Sequence, residues 1–163
     1  MSNQHKFTPP EEYKDIFDLI ISHKGVIFGG AVRDIIRNER INDIDVSIPD
    51  DNCQDFYEEL IYLGYNEIEQ FSNKFHKDNI IIDVCENSLV DGATVNINLP
   101  PDFDVNCLAW DGDKLYDFWD PEWDVSGIIH NIKEKHAEKI KPTQKRIDHM
   151  LSKGWVLNER KEY

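Results

Sequence analysis

With 163 residues, 40% of them hydrophobic, the chain has material for one cored domain and too little for two. Its apolar stretches are short and interrupted by charge, which argues against a membrane span, and MSNQHKFTPPEE at the start lacks the apolar run of a secretion signal. The net charge of −14, from 18 Lys and Arg against 32 acids, argues against non-specific binding of duplex nucleic acid by the surface as a whole.

The first helix is signalled by Thr8 and Glu11 at capping-box spacing, with Pro9 at the first helical position. Tyr13, Ile16, Phe17, Ile20 and Ile21 form its apolar face, and Gly25 is expected to stop it. Val26 to Phe28 reads as a short buried strand, broken by Gly29-Gly30, and Ala31 to Arg37 as a helix. Ile41 to Ile48 alternates as a strand does, with Ile44 and Val46 on one side and Asp43 and Asp45 on the other. After Pro49, Asp51 to Leu63 is a helix with Phe56, Leu60 and Leu63 inward, closed by Gly64.

Ile80 to Cys85 is a further strand, and Asp91-Gly92 reads as a turn. Cys107–Trp110 and Leu115–Phe118 flank Asp111-Gly112-Asp113 as a hairpin. Pro142 to Lys153 is a last helix, with Gly154 after it and Trp155 expected to pack back on the body. Helices and strands mix without regular alternation, so the expected class is α+β: a small mixed or antiparallel sheet with helices on one side. Cys53, Cys85 and Cys107 are odd in number and widely spaced, so no zinc site or disulfide framework is expected and a reducing cytoplasm or nucleus suits the chain.

Basic residues crowd between Lys133 and Arg146, through Lys135, Lys139, Lys141 and Lys145. They read as a solvated helix face, or as the place where a polyanion is met. In the last helix Lys145, Arg146, His149 and Lys153 fall close to one face, and Ile147, Met150 and Leu151 make the other. That face is a candidate guide for an RNA acceptor.

The chemistry concentrates on two short segments. Asp43 and Asp45, two apart on a strand, point the same way and repel each other unless a cation sits between them. Hard carboxylate oxygens suit Mg²⁺ or Mn²⁺ completed by substrate phosphates. Upstream, Phe28-Gly29-Gly30-Ala31-Val32-Arg33-Asp34 is a strand running through glycines into a helix, an arrangement that offers backbone N–H groups and an Arg fork to an anion.

These segments together resemble the head domain of the CCA-adding tRNA nucleotidyltransferase and bacterial poly(A) polymerase family, of the DNA polymerase beta-like superfamily. A second block, Asp102-Phe103-Asp104-Val105-Asn106-Cys107-Leu108-Ala109-Trp110-Asp111, is similar to that family's Arg-Arg-Asp-Phe-Thr-x-Asn-Ala-Leu-Ala-Tyr motif. Asp117 to Pro121 and Gly127-Ile128-Ile129 resemble the segment that follows it, so the likeness runs from about Gly25 to Ile129. It implies a palm-type fold and a metal-dependent transfer of a nucleoside monophosphate from a nucleoside triphosphate to an acceptor hydroxyl, an RNA 3′ end or another acceptor. It implies Asp43 and Asp45 as catalytic metal ligands, Gly29, Gly30 and Arg33 against the triphosphate, Asp34 bracing the turn, and Asp102 and Asn106 near the ribose. Asp83 in Ile81-Ile82-Asp83-Val84 is the candidate for a further catalytic acid, its alternative an ordinary exposed strand residue.

The chain departs from the family where Pro100-Pro101 replaces paired arginines, where Glu86-Asn87-Ser88 stands in place of an expected Arg, and where no Glu-Asp-x-x-Arg motif is evident. A catalytically weak or inactive binding or regulatory module on the same fold is therefore the alternative. The expected organisation is a head domain over residues 1–141 with residues 142–163 as a helix and tail packed on it.

Overall fold

The computed structural model describes residues 6–71, 73–87, 100–120, 122 and 124–160. The Asp91-Gly92 turn lies outside the described residues. Among them no helix is long and apolar enough to cross a membrane.

A single 3₁₀ turn, Glu11–Tyr13, leads into α1 (Lys14–Ser22). The expected capping box does not form: Pro10 is the extended N-cap residue and no side chain caps the turn. Proline already fixes an extended entry, so the turn opens on the Pro10 carbonyl, which accepts from Tyr13 N at 3.0 Å. The helix ends at Ser22, and the left-handed residue beyond it is Lys24 (φ 60°), not Gly25. Gly25 is required for space instead, because a Cβ there would stand 2.5 Å from Ile48 Cδ1 and 2.8 Å from the Ile20 carbonyl.

The strands β1 (Val26–Phe28), β2 (Asp43–Pro49), β3 (Asn66–Glu67), β4 (Lys74–Lys77), β5 (Ile80–Asn87), β6 (Leu108–Trp110) and β7 (Leu115–Asp117) form one sheet in the order β3-β4-β5-β2-β1-β6-β7. Every neighbouring pair is antiparallel except β2 and β5. That parallel pair needs a crossover, supplied by α3 (Asp50–Tyr62) and the β3–β4 hairpin. The fold is thus α+β with a mixed sheet, as the sequence predicts, though β3 and β4 are strands that polar residues conceal.

One face of the sheet is core. Ile44, Val46 and Ile48 of β2, Ile82 and Val84 of β5 and Phe75 of β4 are buried with Phe17 and Ile20 of α1 and Phe56 and Leu60 of α3. Strand alternation then sends Asp43, Asp45 and Asp83 to the other face. Registered neighbours on that face form a row across four strands, Phe28–Asp45–Asp83–Lys74, with Asp43–Ile81–His76 beside it.

Beyond the sheet, α4 (Val125–Glu134) begins at Asp124, whose side chain accepts from Ser126 N at 2.9 Å, and ends at a left-handed Lys135. The strands β8 (His136–Lys139) and β9 (Val156–Glu159) pair in parallel around α5 (Gln144–Ser152). Thr143 is the N-cap of α5, accepting from Arg146 N at 3.2 Å, so Pro142 lies before the helix rather than in its first turn. Trp155 packs into the core with Met150, as expected, but Leu151 is 53% exposed and does not belong to the buried face. The basic run from Lys133 to Arg146 is divided among α4, its C-cap, β8, the segment after β8 and α5, and is no single helix face.

Buried Asp104 fastens this region. Its Oδ1 accepts from Glu138 N at 2.7 Å and Val105 N at 2.8 Å, and its Oδ2 from Asn131 Nδ2 at 2.9 Å. One carboxylate so joins the 3₁₀ turn Asp104–Asn106, α4 and β8. Burial pushes its pKa up to about 6 against those hydrogen bonds.

Candidate active site

β1 delivers the chain into Gly29 at φ 79°, ψ −140°, a backbone region that side chains disfavour, and α2 (Gly30–Ile36) starts at once. The Gly29 N–H is used by β6, donating to the Leu108 carbonyl at 3.0 Å. What Gly29 offers the site is therefore its bare Cα: a Cβ there would sit 3.7 Å from Asp45 Oδ2. The first N–H groups of α2 have no partner within the helix.

Arg33 bends back over Gly30, where a Cβ would meet its Nη2 at 3.3 Å. Its Nε donates to Asp34 Oδ1 at 3.0 Å and its Nη1 to Asn106 Oδ1 at 2.7 Å. Asn106 Nδ2 donates to Asp102 Oδ1 at 3.0 Å, and Arg146 Nε of α5 donates to Asp102 Oδ2 at 2.9 Å. Asp34, Arg33, Asn106, Asp102 and Arg146 thus form one continuous chain of charge-assisted hydrogen bonds along a wall of the site.

Asp43 is exposed and Asp45 half-buried on the same face of β2. The pKa of Asp45 is raised to about 6, first by burial, then by the charges of Asp83 and Asp43, with Lys74 acting against them. A carboxylate held among like charges in this way is one that a cation would relieve. Among the described residues, no group of three or more His, Cys, Asp and Glu side chains is arranged to hold a metal ion. The donor set present, two carboxylates open to a cavity, fits a hard divalent ion whose remaining ligands come from phosphate and water.

Asp43, Asp45, Gly29, Gly30, Arg33, Asp102 and Asn106 all line one cavity of about 760 Å³. Asp83 does not line it. It stands beside Asp45 in register on β5, with Lys74 Nζ at 3.7 Å from its Oδ2 and Asn73 Nδ2 at 3.5 Å from its Oδ1. The same cavity is lined by five cationic side chains, Arg33, Arg40, Lys135, Arg146 and Lys153, in a chain of net charge −14. His149 reports that field: its pKa is lowered, by desolvation and then by Lys153, Arg146 and Arg33. Phe28, Phe118 and Trp155 supply aromatic lining, and Trp155 lies 5.7 Å under the Arg33 and Arg37 guanidinium groups.

The sequence drew attention to Lys135, Arg146 and Lys153 as basic residues where a polyanion could be met, but not to Arg40. Lys135 is brought in by the left-handed end of α4, a conformation with no marker in its own identity. Lys145, grouped with the site-facing residues by helical spacing, is exposed and does not line the cavity.

With this geometry in hand, comparison with solved structures is informative. A tRNA-processing enzyme in an apo form superposes with a TM-score of 0.61 at 19% identity, covering 94% of this chain and 46% of that one. An apo CCA-adding enzyme gives 0.59 at 17%, covering 93% and 42%, and a CCA-adding enzyme with CTP gives 0.53 at 18%, covering 82% and 35%. The fold is that of the nucleotidyltransferase domain of CCA-adding enzymes. Further structures with this fold hold ATP or, in the Thermotoga maritima CCA-adding enzyme, tRNA. The chain spans less than half the length of each of these proteins. The sequence matches no family model, and no curated protein matches it.

Proposed function

We propose that this protein is a nucleotidyltransferase that moves a nucleoside monophosphate from a nucleoside triphosphate to an acceptor hydroxyl in the presence of Mg²⁺ or Mn²⁺. The observation that carries the reading is the pairing of opposites in one cavity: Asp43 and Asp45 together on β2, facing a glycine turn and five cations. A triphosphate matches the cations, and a divalent ion matches the acids.

Asp43 and Asp45 would hold the ion, which when bound would stabilise charge on the transferring phosphate and acidify the attacking hydroxyl. Arg33, held by Asp34 and Asn106, is already oriented before a nucleotide arrives, so little side-chain entropy is lost when it meets a phosphate. Arg146, Lys153 and Lys135 supply positive charge on the wall where Pro101 stands in place of the family's arginine. The bond formed is from acceptor oxygen to α-phosphorus, and the bond broken releases pyrophosphate; the hydroxyl proton passes to a neighbouring carboxylate or water. The CTP, ATP and tRNA held by structures of this fold support a nucleotide and an RNA as partners.

A second reading is favoured by one observation. Asp83, the further acid of the superfamily pattern, lies outside the cavity and is paired to Lys74, so the site binds nucleotide without transferring it. Thermal shifts with each nucleotide, with and without Mg²⁺ or Mn²⁺, test both. A metal-dependent shift that Asp43→Asn with Asp45→Asn removes, together with label transfer to total RNA, supports the enzyme. A shift without transfer supports the binding module, and no shift with any nucleotide sinks both.

A further inference from the structure

The cavity accounts for one side of the carboxylates only. On the other side the same open sheet face continues over β5 and β4, and it is not bare. Phe71 is 45% exposed and Ile81 is 37% exposed, both large apolar side chains in water. Lys74 Nζ stands 4.4 Å from the Phe71 ring centroid and 3.7 Å from Asp83 Oδ2. Register places Ile81 next to Asp43, and Lys74 next to Asp83, which is next to Asp45. An exposed ring, a cation over it and a carboxylate therefore lie in sequence beside the acid pair.

Resting on the reading above, we infer that Phe71 and Lys74 form the acceptor platform, on which the terminal base of a single-stranded RNA stacks while its 3′-hydroxyl reaches the carboxylates. Displacement at phosphorus runs in line, with the attacking and leaving oxygens on opposite sides. The cations and the glycine turn draw the leaving pyrophosphate toward α2 and α5, so the attacking oxygen comes from the opposite side, over β5. What waits there is a π-face for a base and an ammonium for the adjoining phosphate, the pairing by which single strands are held without sequence preference. Lys74 serves also as a positioning residue, fixing the Asp83 carboxylate beside the incoming hydroxyl. The acceptor oxygen bonds to the α-phosphorus, the bond to pyrophosphate breaks, and Asp83 stands next to the proton that leaves.

The test uses the full chain and a single-stranded RNA octamer carrying 4-thiouridine at its 3′ end, irradiated without nucleotide and mapped by mass spectrometry. Cross-links are expected in the peptide from Phe71 to Asp83. Phe71→Ala is expected to weaken affinity for the same RNA roughly tenfold by fluorescence anisotropy, with Phe71→Tyr restoring it. The ATP–Mg²⁺ thermal shift is expected to be the same in all three proteins. Cross-links confined to α5, no cross-links, or RNA affinity indifferent to Phe71→Ala each overturn the inference. Failure of the nucleotide shift in the wild type with RNA still cross-linked at Phe71 instead removes the proposed reaction and leaves the RNA surface standing.

Discussion

Arg146 reaches 44 positions back along the chain to place its Nε 2.9 Å from Asp102 Oδ2, joining the last helix to the wall of the site. The pair is partly exposed, at 42% and 21% of the side chains, so solvent screens it. Arg146→Ala is expected to cost about 1 kcal/mol of stability, a fall in Tm of about 2–4 °C. It is also expected to cut the ATP–Mg²⁺ thermal shift by more than half, with Arg146→Lys restoring charge but not the fork geometry and so only part of the shift. An undiminished shift in Arg146→Ala would put the phosphates elsewhere.

The acid pair gives a pH prediction with a definite sign. Folding raises the Asp45 pKa from 3.8 to about 6, so the folded state holds that proton more tightly than the unfolded chain. This group therefore destabilises the fold progressively as pH rises from roughly 4 to above 6. Asp45→Asn is expected to stabilise by on the order of 2 kcal/mol at neutral pH, a gain that fades near pH 4. Urea unfolding at three pH values checks it. Mg²⁺ is expected to stabilise the wild type at neutral pH and to lose that effect in Asp45→Asn.

Asp104 is a structural acid, and its removal separates stability from chemistry. Asp104→Ala leaves Val105 N, Glu138 N and Asn131 Nδ2 without their acceptor. The expected cost is about 3 kcal/mol in denaturant unfolding, since unsatisfied buried donors are costly. A loss below about 1 kcal/mol would mean that water replaces the carboxylate.

Three glycines separate three kinds of constraint. Gly25→Ala forces a Cβ to 2.5 Å from Ile48 Cδ1 and is expected to destabilise by about 2–3 kcal/mol. Gly29→Ala has room, with Asp45 Oδ2 at 3.7 Å, but its φ of 79° strains any side chain, at about 1–2 kcal/mol, and puts a methyl group beside the acids. It is expected to reduce nucleotide binding more than stability. Gly127→Ala, within α4 and with nothing within 4 Å, is expected to stabilise by about 0.5–1 kcal/mol. Thermal melts with and without nucleotide distinguish the three.

The centre of the molecule was legible because its signals are local. Alternation in Asp43–Pro49 and the Gly29-Gly30 break carry their own periodicity and punctuation, and both acids fall on the open face as the pattern requires. The periphery was not. β4 reads Lys-Phe-His-Lys and β8 reads His-Ala-Glu-Lys, each with a single buried residue, so pairing across the chain rather than composition makes them strands. α4 carries only a short signal, Ile128, Ile129 and Ile132 at helical spacing after the capping Asp124. The cationic wall was legible only in part: Lys135, Arg146 and Lys153 stand out as a basic C-terminal stretch, but nothing local joins them to Arg33 and Arg40, which only tertiary packing gathers.

The lone parallel seam, Asp43–Pro49 against Ile81–Asn87, has a kinetic corollary. Its partners are joined by a long excursion through α3 and the β3–β4 hairpin, and such distant pairing is entropically slow to close. Asp45 and Asp83 become neighbours only when that seam zips. Refolding is therefore expected to complete β1, α2 and β2, with the glycine bend and the Asp43–Asp45 pair, before Asp83 and the β4–β5 face come alongside them.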